Sequence, residues 1–157
     1  MCIAGCNPRE NQGEAAKSKS ETPANCTSAS CPAAKVKGTP VPIPATDDTI
    51  VCRGGRLVVQ INDTGPDRAC TQAHEEQHIK DWKERYGEDL CSGVSDGQLP
   101  VGGDGYTEFL RQSECKAYKV GKACRENFIK TAAAADKPII QRGIDRDNAQ
   151  LNANSCN

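Results

Sequence analysis

His74, Glu75 and His78 are the residues whose types and spacing point most directly to chemistry. They spell His-Glu-x-x-His within the stretch Thr71-Gln72-Ala73-His74-Glu75-Glu76-Gln77-His78, and the chain has 2 histidines in all. On a helix, positions four apart lie one turn above each other on one face, so both imidazoles can reach a single ion. Glu75 follows the first histidine and precedes the second by three, which lets its carboxylate reach water at that ion. Two neutral imidazoles on Zn²⁺ beside a carboxylate that takes a proton from water form a hydrolytic arrangement. The bland alternative is a surface helix that happens to carry two histidines and some glutamates. The context favours a positioned helix. Gly65-Pro66-Asp67 supplies a start, with Pro66 suited to the first helical position, and Gly87 supplies a stop. Ile79, Trp82 and Tyr86 fall at i, i+3 and i+7, an apolar stripe beside the histidine face.

A hydrolytic zinc site needs a third protein ligand and one open position. A second helix, expected from Tyr106 to Ala134, carries Leu110, Glu114, Ala117, Gly121, Cys124 and Phe128 on one face. Every member of that stripe is apolar or small except Glu114. A carboxylate among buried apolar neighbours needs a partner, and an ion held by His74 and His78 would be one. Glu108 and Glu126 lie about 120° away around the helix and are expected to face solvent. The alternative for Glu114 is a salt bridge to Lys or Arg. Cys70, one turn before His74, is no ligand in this reading, because Cys70 to His78 spans roughly 12 Å of helix; it reads as half of a disulfide. Cys115 and Cys124 are about 13 Å apart along one helix and cannot bridge each other.

The elements around these helices follow from pattern. Thr49-Ile50-Val51-Cys52, Arg53-Gly54-Gly55 and Arg56-Leu57-Val58-Val59-Gln60-Ile61 read as a β-hairpin. It is either a cover for the metal helix or, in addition, an edge that binds extended peptide. Residues 88–105, with Cys91 and Gly102-Gly103-Asp104-Gly105, read as a loop bordering a cleft. Lys137 to about Asn154 reads as a third helix with Ile140, Ile144 and Leu151 inward and no chemistry of its own. Residues 1–45 form a Pro/Ser/Ala-rich arm or linker with Cys2, Cys6, Cys26 and Cys31. Its run Thr39-Pro40-Val41-Pro42-Ile43-Pro44 is expected to be an extended linker. An inhibitory arm that puts a cysteine thiolate on the zinc is a further reading of these residues.

Composition sets the frame. The 157 residues fit one domain, expected over 46–157 after the arm. Twenty basic and 21 acidic residues, interspersed, leave no electrostatic footprint for nucleic acid. With 36% hydrophobic and 4% aromatic residues the core is thin, and the 10 cysteines are the natural reinforcement. No pair has Cys-x-x-Cys spacing, so disulfides in an oxidising compartment are favoured over thiolate zinc sites. No run approaches a membrane span, and no secretory signal is visible at Met1-Cys2-Ile3-Ala4-Gly5-Cys6. The expected fold is α+β, a short sheet on a metal helix and a glutamate helix.

His74-Glu75-Glu76-Gln77-His78 followed by Glu114-Cys115-Lys116-Ala117-Tyr118 on a later helix resembles the zincin metallopeptidases, and within them the gluzincins. The resemblance covers about Thr49 to Phe128. It implies a small, disulfide-stabilised zincin-like domain, with His74, His78 and Glu114 as zinc ligands and Glu75 as general base and proton shuttle. It also implies Tyr118 as a donor to the oxyanion, with Tyr106 as a substitute. The chain is shorter and richer in cysteine than the larger gluzincins, and it lacks their Asn-Glu-x-x-x-Ser-Asp motif. In those respects it looks like the metallopeptidase toxin or effector domains that bacteria export, which implies a secreted or periplasmic location, a protein or peptide substrate and a cognate inhibitor or immunity protein. Two other functions remain open: a peptidoglycan or other amide hydrolase with the same zinc site, and a disulfide-rich binding module whose zinc is structural.

Overall fold

The computed structural model describes residues 36–156; the four cysteines of the arm, and the inhibitory reading that used them, lie outside these. On either side of Gly54-Gly55 the β-branched runs form the expected hairpin, β2 (Thr49–Arg53) with β3 (Arg56–Gln60), antiparallel with Ile50 opposite Val59. Both turn glycines have positive φ, 56° and 74°, the conformation a two-residue turn needs to follow the twist of its strands.

The helix α1 (Arg68–Tyr86) carries the histidine motif. Pro66 lies one residue before its N-cap rather than at the first helical position, because Asp67 takes the cap with φ −97° and ψ 17°. The Asp67 side chain makes no capping bond and turns instead to Arg125. At the other end the N–H of Gly87 returns to the Lys83 carbonyl at 2.9 Å and closes the last turn. Then follow α2 (Tyr106–Thr131) and α3 (Lys137–Ala153), packed α1 on α2 and α2 on α3.

Two expectations need correction. The Pro-rich run at 39–44 is not a linker, and residues 88–105 are not wholly loop. Thr39–Pro42 forms β1, which pairs antiparallel with β4 (Gln98–Val101), so that Pro40 faces Pro100 and Val41 faces Leu99. What recruits the second segment is α1 itself. The Trp82 indole donates to the Pro100 carbonyl at 2.9 Å, the Tyr86 hydroxyl to Gly102 at 2.9 Å, and Arg85 to Gly102 and Asp104. Leu99 is drawn into the core with Ile50, Trp82 and Tyr86, against which Ile43, Ile79, Val101, Phe109 and Leu110 pack. Over the described residues the result is α+β: three helices and two small antiparallel sheets.

Among the described residues three disulfides reinforce this frame. Cys52–Cys91 ties the hairpin to the segment after α1, Cys70–Cys124 ties α1 to α2, and Cys115–Cys156 ties α2 to the end of α3. Cys115 and Cys124 thus each leave their own helix, as helical geometry requires. The bridges suggest an oxidising compartment. Among the described residues no helix is long and apolar enough to cross a membrane.

Candidate metal centre

The histidine face of α1 meets α2 where Ala117 and Gly121 allow the helices to approach closely; a Cβ on Gly121 would lie 3.6 Å from that of His74. There the side chains of His74, His78 and Glu114 converge, one ligand atom from each lying within 4.8 Å of the others. The two Nε2 atoms are 3.2 Å apart, and the Glu114 oxygens stand 3.9 Å from His74 and 3.7 Å from His78. The groups set beside Glu114 are thus these imidazoles, and no salt bridge from it to a Lys or Arg is found among the described residues. Glu108 and Glu126 are exposed, as their helical phase requires.

Electrostatics and hydrogen bonding prepare these donors for a cation. Burial, then the neighbouring His78 and the charges of Arg125 and Arg146, lowers the pKa of His74 to about 3. Burial lowers that of His78 to about 4, with Asp81 opposing. Both rings are therefore neutral at ordinary pH, the form that binds metal. Ser113 on α2 donates its hydroxyl proton to Asp81 Oδ2 at 2.7 Å, so its oxygen accepts the N–H of His78 Nδ1 at 2.8 Å. That leaves the lone pair of His78 on Nε2. At His74 the Ala117 backbone opposes the lowering of the pKa, as the smallest of its influences. The Nε2 atoms of the two rings face each other across 3.2 Å. Two nitrogens on one tetrahedral zinc, each at its usual bond length, are about 3.3 Å apart. The donor set fits a metal ion.

Glu75 is buried beside this set, 3.9 Å from His74 Nε2, and makes no hydrogen bond among the described residues. Burial first, then Glu114 and Asp48, raises its pKa to about 7. Tyr118, one turn beyond Glu114, packs edge-on against the His74 ring at 4.7 Å between centroids. Tyr106 also borders the cleft. This cleft, about 320 Å³, has His74, Glu75, His78 and Glu114 on its floor and Ile43, Ile50, Leu99, Val101 and Leu110 on an apolar wall.

Several functional neighbours escaped the sequence reading. Asp81, which steers Ser113, is itself held by Lys116 at 2.8 Å and Gln77 at 3.1 Å. A partner for the second ring nitrogen of a liganding histidine is a general need, and Asp81, three after His78 on the same helix, could have been suspected on that ground. Arg125 and Asp147 had no such signal. The Arg125 guanidinium, 1% exposed, bonds Asp67 at 2.6 Å, Asp147 at 2.7 Å and Thr71 at 3.1 Å. α3 approaches closely enough to do this only because Gly143 has no side chain: a Cβ there would fall 2.6 Å from Arg125 Nε. The third helix therefore does bear on the site, through a buried charge network behind His74. Comparison of the chain with protein-family models, curated proteins and solved structures finds no match.

Proposed function

We propose that this chain is a zinc metallopeptidase of gluzincin type, with His74, His78 and Glu114 holding the metal. The observation that carries the reading is Glu75. A purely structural ion has no use for a second, unbonded carboxylate buried at the edge of an open cleft, and that burial is costly. Buried beside His74 and free of hydrogen bonds among the described residues, Glu75 is placed to accept a proton and return it. When bound, zinc supplies Lewis acidity, acidifying water and polarising a carbonyl. Glu75 then takes the proton from the attacking water and delivers it to the leaving amine. Tyr118, fixed against the His74 ring, donates to the oxygen on which negative charge develops. The cleft's apolar wall shields these groups from bulk water. The three disulfides support work in an oxidising compartment, in keeping with an exported effector that cleaves protein or peptide and is restrained by an inhibitor at home.

The test is Glu75→Gln. Zinc stoichiometry and fold should be unchanged, while turnover falls at least about 10² to 10⁴-fold. His74→Ala should lose zinc and activity together. The substrate comes from digesting a denatured proteome with and without chelator and reading the new termini. A Glu75→Gln protein that cleaves at the parent rate would refute the mechanism and leave a structural clip.

A further inference from the structure

Behind the apolar cleft, a second recess of about 180 Å³ opens from the same floor of His74 and Glu75, and its walls are polar: Asp48, Tyr118, Arg125 and Arg146. The two arginines differ in what occupies them. Arg125 spends its donors on Asp67, Asp147 and Thr71. Arg146 is different. Its side chain is 61% exposed, its nearest carboxylate oxygen is Asp147 Oδ1 at 4.0 Å, and it makes no hydrogen bond among the described residues. That contact is too long for a hydrogen bond, and among the described residues Asp147 Oδ1 has no hydrogen-bond partner. Yet the backbone under Arg146 is well anchored, since the next residue, Asp147, is fully buried and clamped by Arg125. On the facing wall, Asp48 already accepts the N–H groups of Asn62 and Asp63. The recess thus presents one uncommitted guanidinium, on a fixed helix, beside the residues proposed to do the chemistry.

We propose that this recess is a substrate subsite for a carboxylate, held by Arg146. A planar guanidinium matches a carboxylate with two parallel N–H···O bonds, and a partly enclosed recess strengthens them. The inference rests on the peptidase reading and narrows its substrate class. The peptide carries, on the α3 side of the bond to be cut, an acidic side chain or its own C-terminal carboxylate, while an apolar side chain on the other side meets the wall of Ile43, Leu99 and Val101.

Binding tests this apart from turnover. The zinc-loaded full chain carrying Glu75→Gln is titrated with labelled peptides that differ in one group: internal Glu against Gln or Lys, and a free C-terminus against its amide. A carboxylate-bearing peptide should bind about tenfold more tightly than its neutral twin, as one charge-assisted hydrogen-bonded contact allows. A gain from internal Glu names the side chain as the source, and a gain from the free terminus names the terminal carboxylate. Arg146→Gln should erase the gain, and Arg146→Glu should turn the preference toward Lys. Equal affinities in the parent, or a preference that survives Arg146→Gln, overturns the subsite while leaving the peptidase reading to the proteome digest. Failure of every peptide to bind overturns it as well.

Discussion

The two ends of α1 are held to the rest of the molecule by opposite means. Its C-terminal half carries Trp82 and Tyr86 into an apolar cluster with Ile50, Leu99 and Phe109. Its N-terminal half meets α2 and α3 through Asp67, Thr71, Arg125 and Asp147, with Cys70–Cys124 as a covalent tie. His74 and His78 lie between the two. An apolar contact is tolerant, since volume can be redistributed among neighbours. A buried charge network is not, because losing one member strands the others. The residues that would hold a metal therefore draw their precision from the polar end and much of their stability from the apolar one.

The sharpest way to break that contrast is Arg125→Met. It leaves Asp67 and Asp147 buried without their cation and should cost about 3–5 kcal/mol in urea unfolding at neutral pH. A loss well under 1 kcal/mol would mean that the polar end is not a frame at all. Next comes the bridge. Replacing Cys70 and Cys124 by Ala should cost about 2–4 kcal/mol and weaken zinc binding, measured by competition with a chromogenic chelator. Replacing Cys52 and Cys91 should lower stability by a similar amount but leave zinc affinity near normal. Equal effects on zinc would remove the distinction between the two ends.

Glu75 belongs to neither end, and its titration sharpens the picture. In the metal-free protein its folded pKa, about 7, lies above its ordinary 4.5. As pH rises, the unfolded chain releases this proton first, so stability is lost between about 4.5 and 7. Metal-free Glu75→Gln has no such loss. It should match the parent below pH 4.5, gain on it through this window, and exceed it above pH 7 by at most about 3 kcal/mol. Denaturant midpoints at pH 4, 6 and 8 measure this, and a constant difference would mean that Glu75 titrates normally. The smallest effect belongs to Leu99→Met at the apolar end, which conserves volume and should cost less than about 1.5 kcal/mol.

Local pattern made one class of feature legible. His74, Glu75 and His78 share one turn of helix, and Glu114 breaks an otherwise apolar or small stripe, so their meeting could be anticipated from spacing. The hairpin was marked by Gly54-Gly55, and the separate destinations of Cys115 and Cys124 by helix length. What stayed hidden depends on distant partners. Asp67 and Asp147 are 58 and 22 residues from Arg125, and nothing near any of them announces the others. The strand Thr39–Pro42 has the composition of a linker, and its partner Gln98–Val101 is embedded among Gly, Ser and Asp. Their pairing is set by the carbonyls that Trp82 and Tyr86 capture, a tertiary cause with no local trace.

That strand pair has a consequence for how the molecule breathes. Pro40 sits opposite Pro100 and Pro42 opposite Gln98, and since Ile43 N–H bonds the Gly97 carbonyl, all three prolines fall at the alternate positions, where a missing N–H removes no bond between the strands. With only four residues in each strand, few backbone bonds resist separation, and the side chains and the indole clasp beneath help to keep the pair closed. Such a ribbon opens at lower free energy than the helices it rests on. Its amides, at Thr39, Val41, Gln98, Leu99 and Val101, should exchange with solvent deuterium well before those at the middle of α1 and α2. Since Val101 and neighbouring Ile43 form part of the apolar wall, the width of the cleft is set by the least cooperative part of the fold, while the floor beneath it stays still.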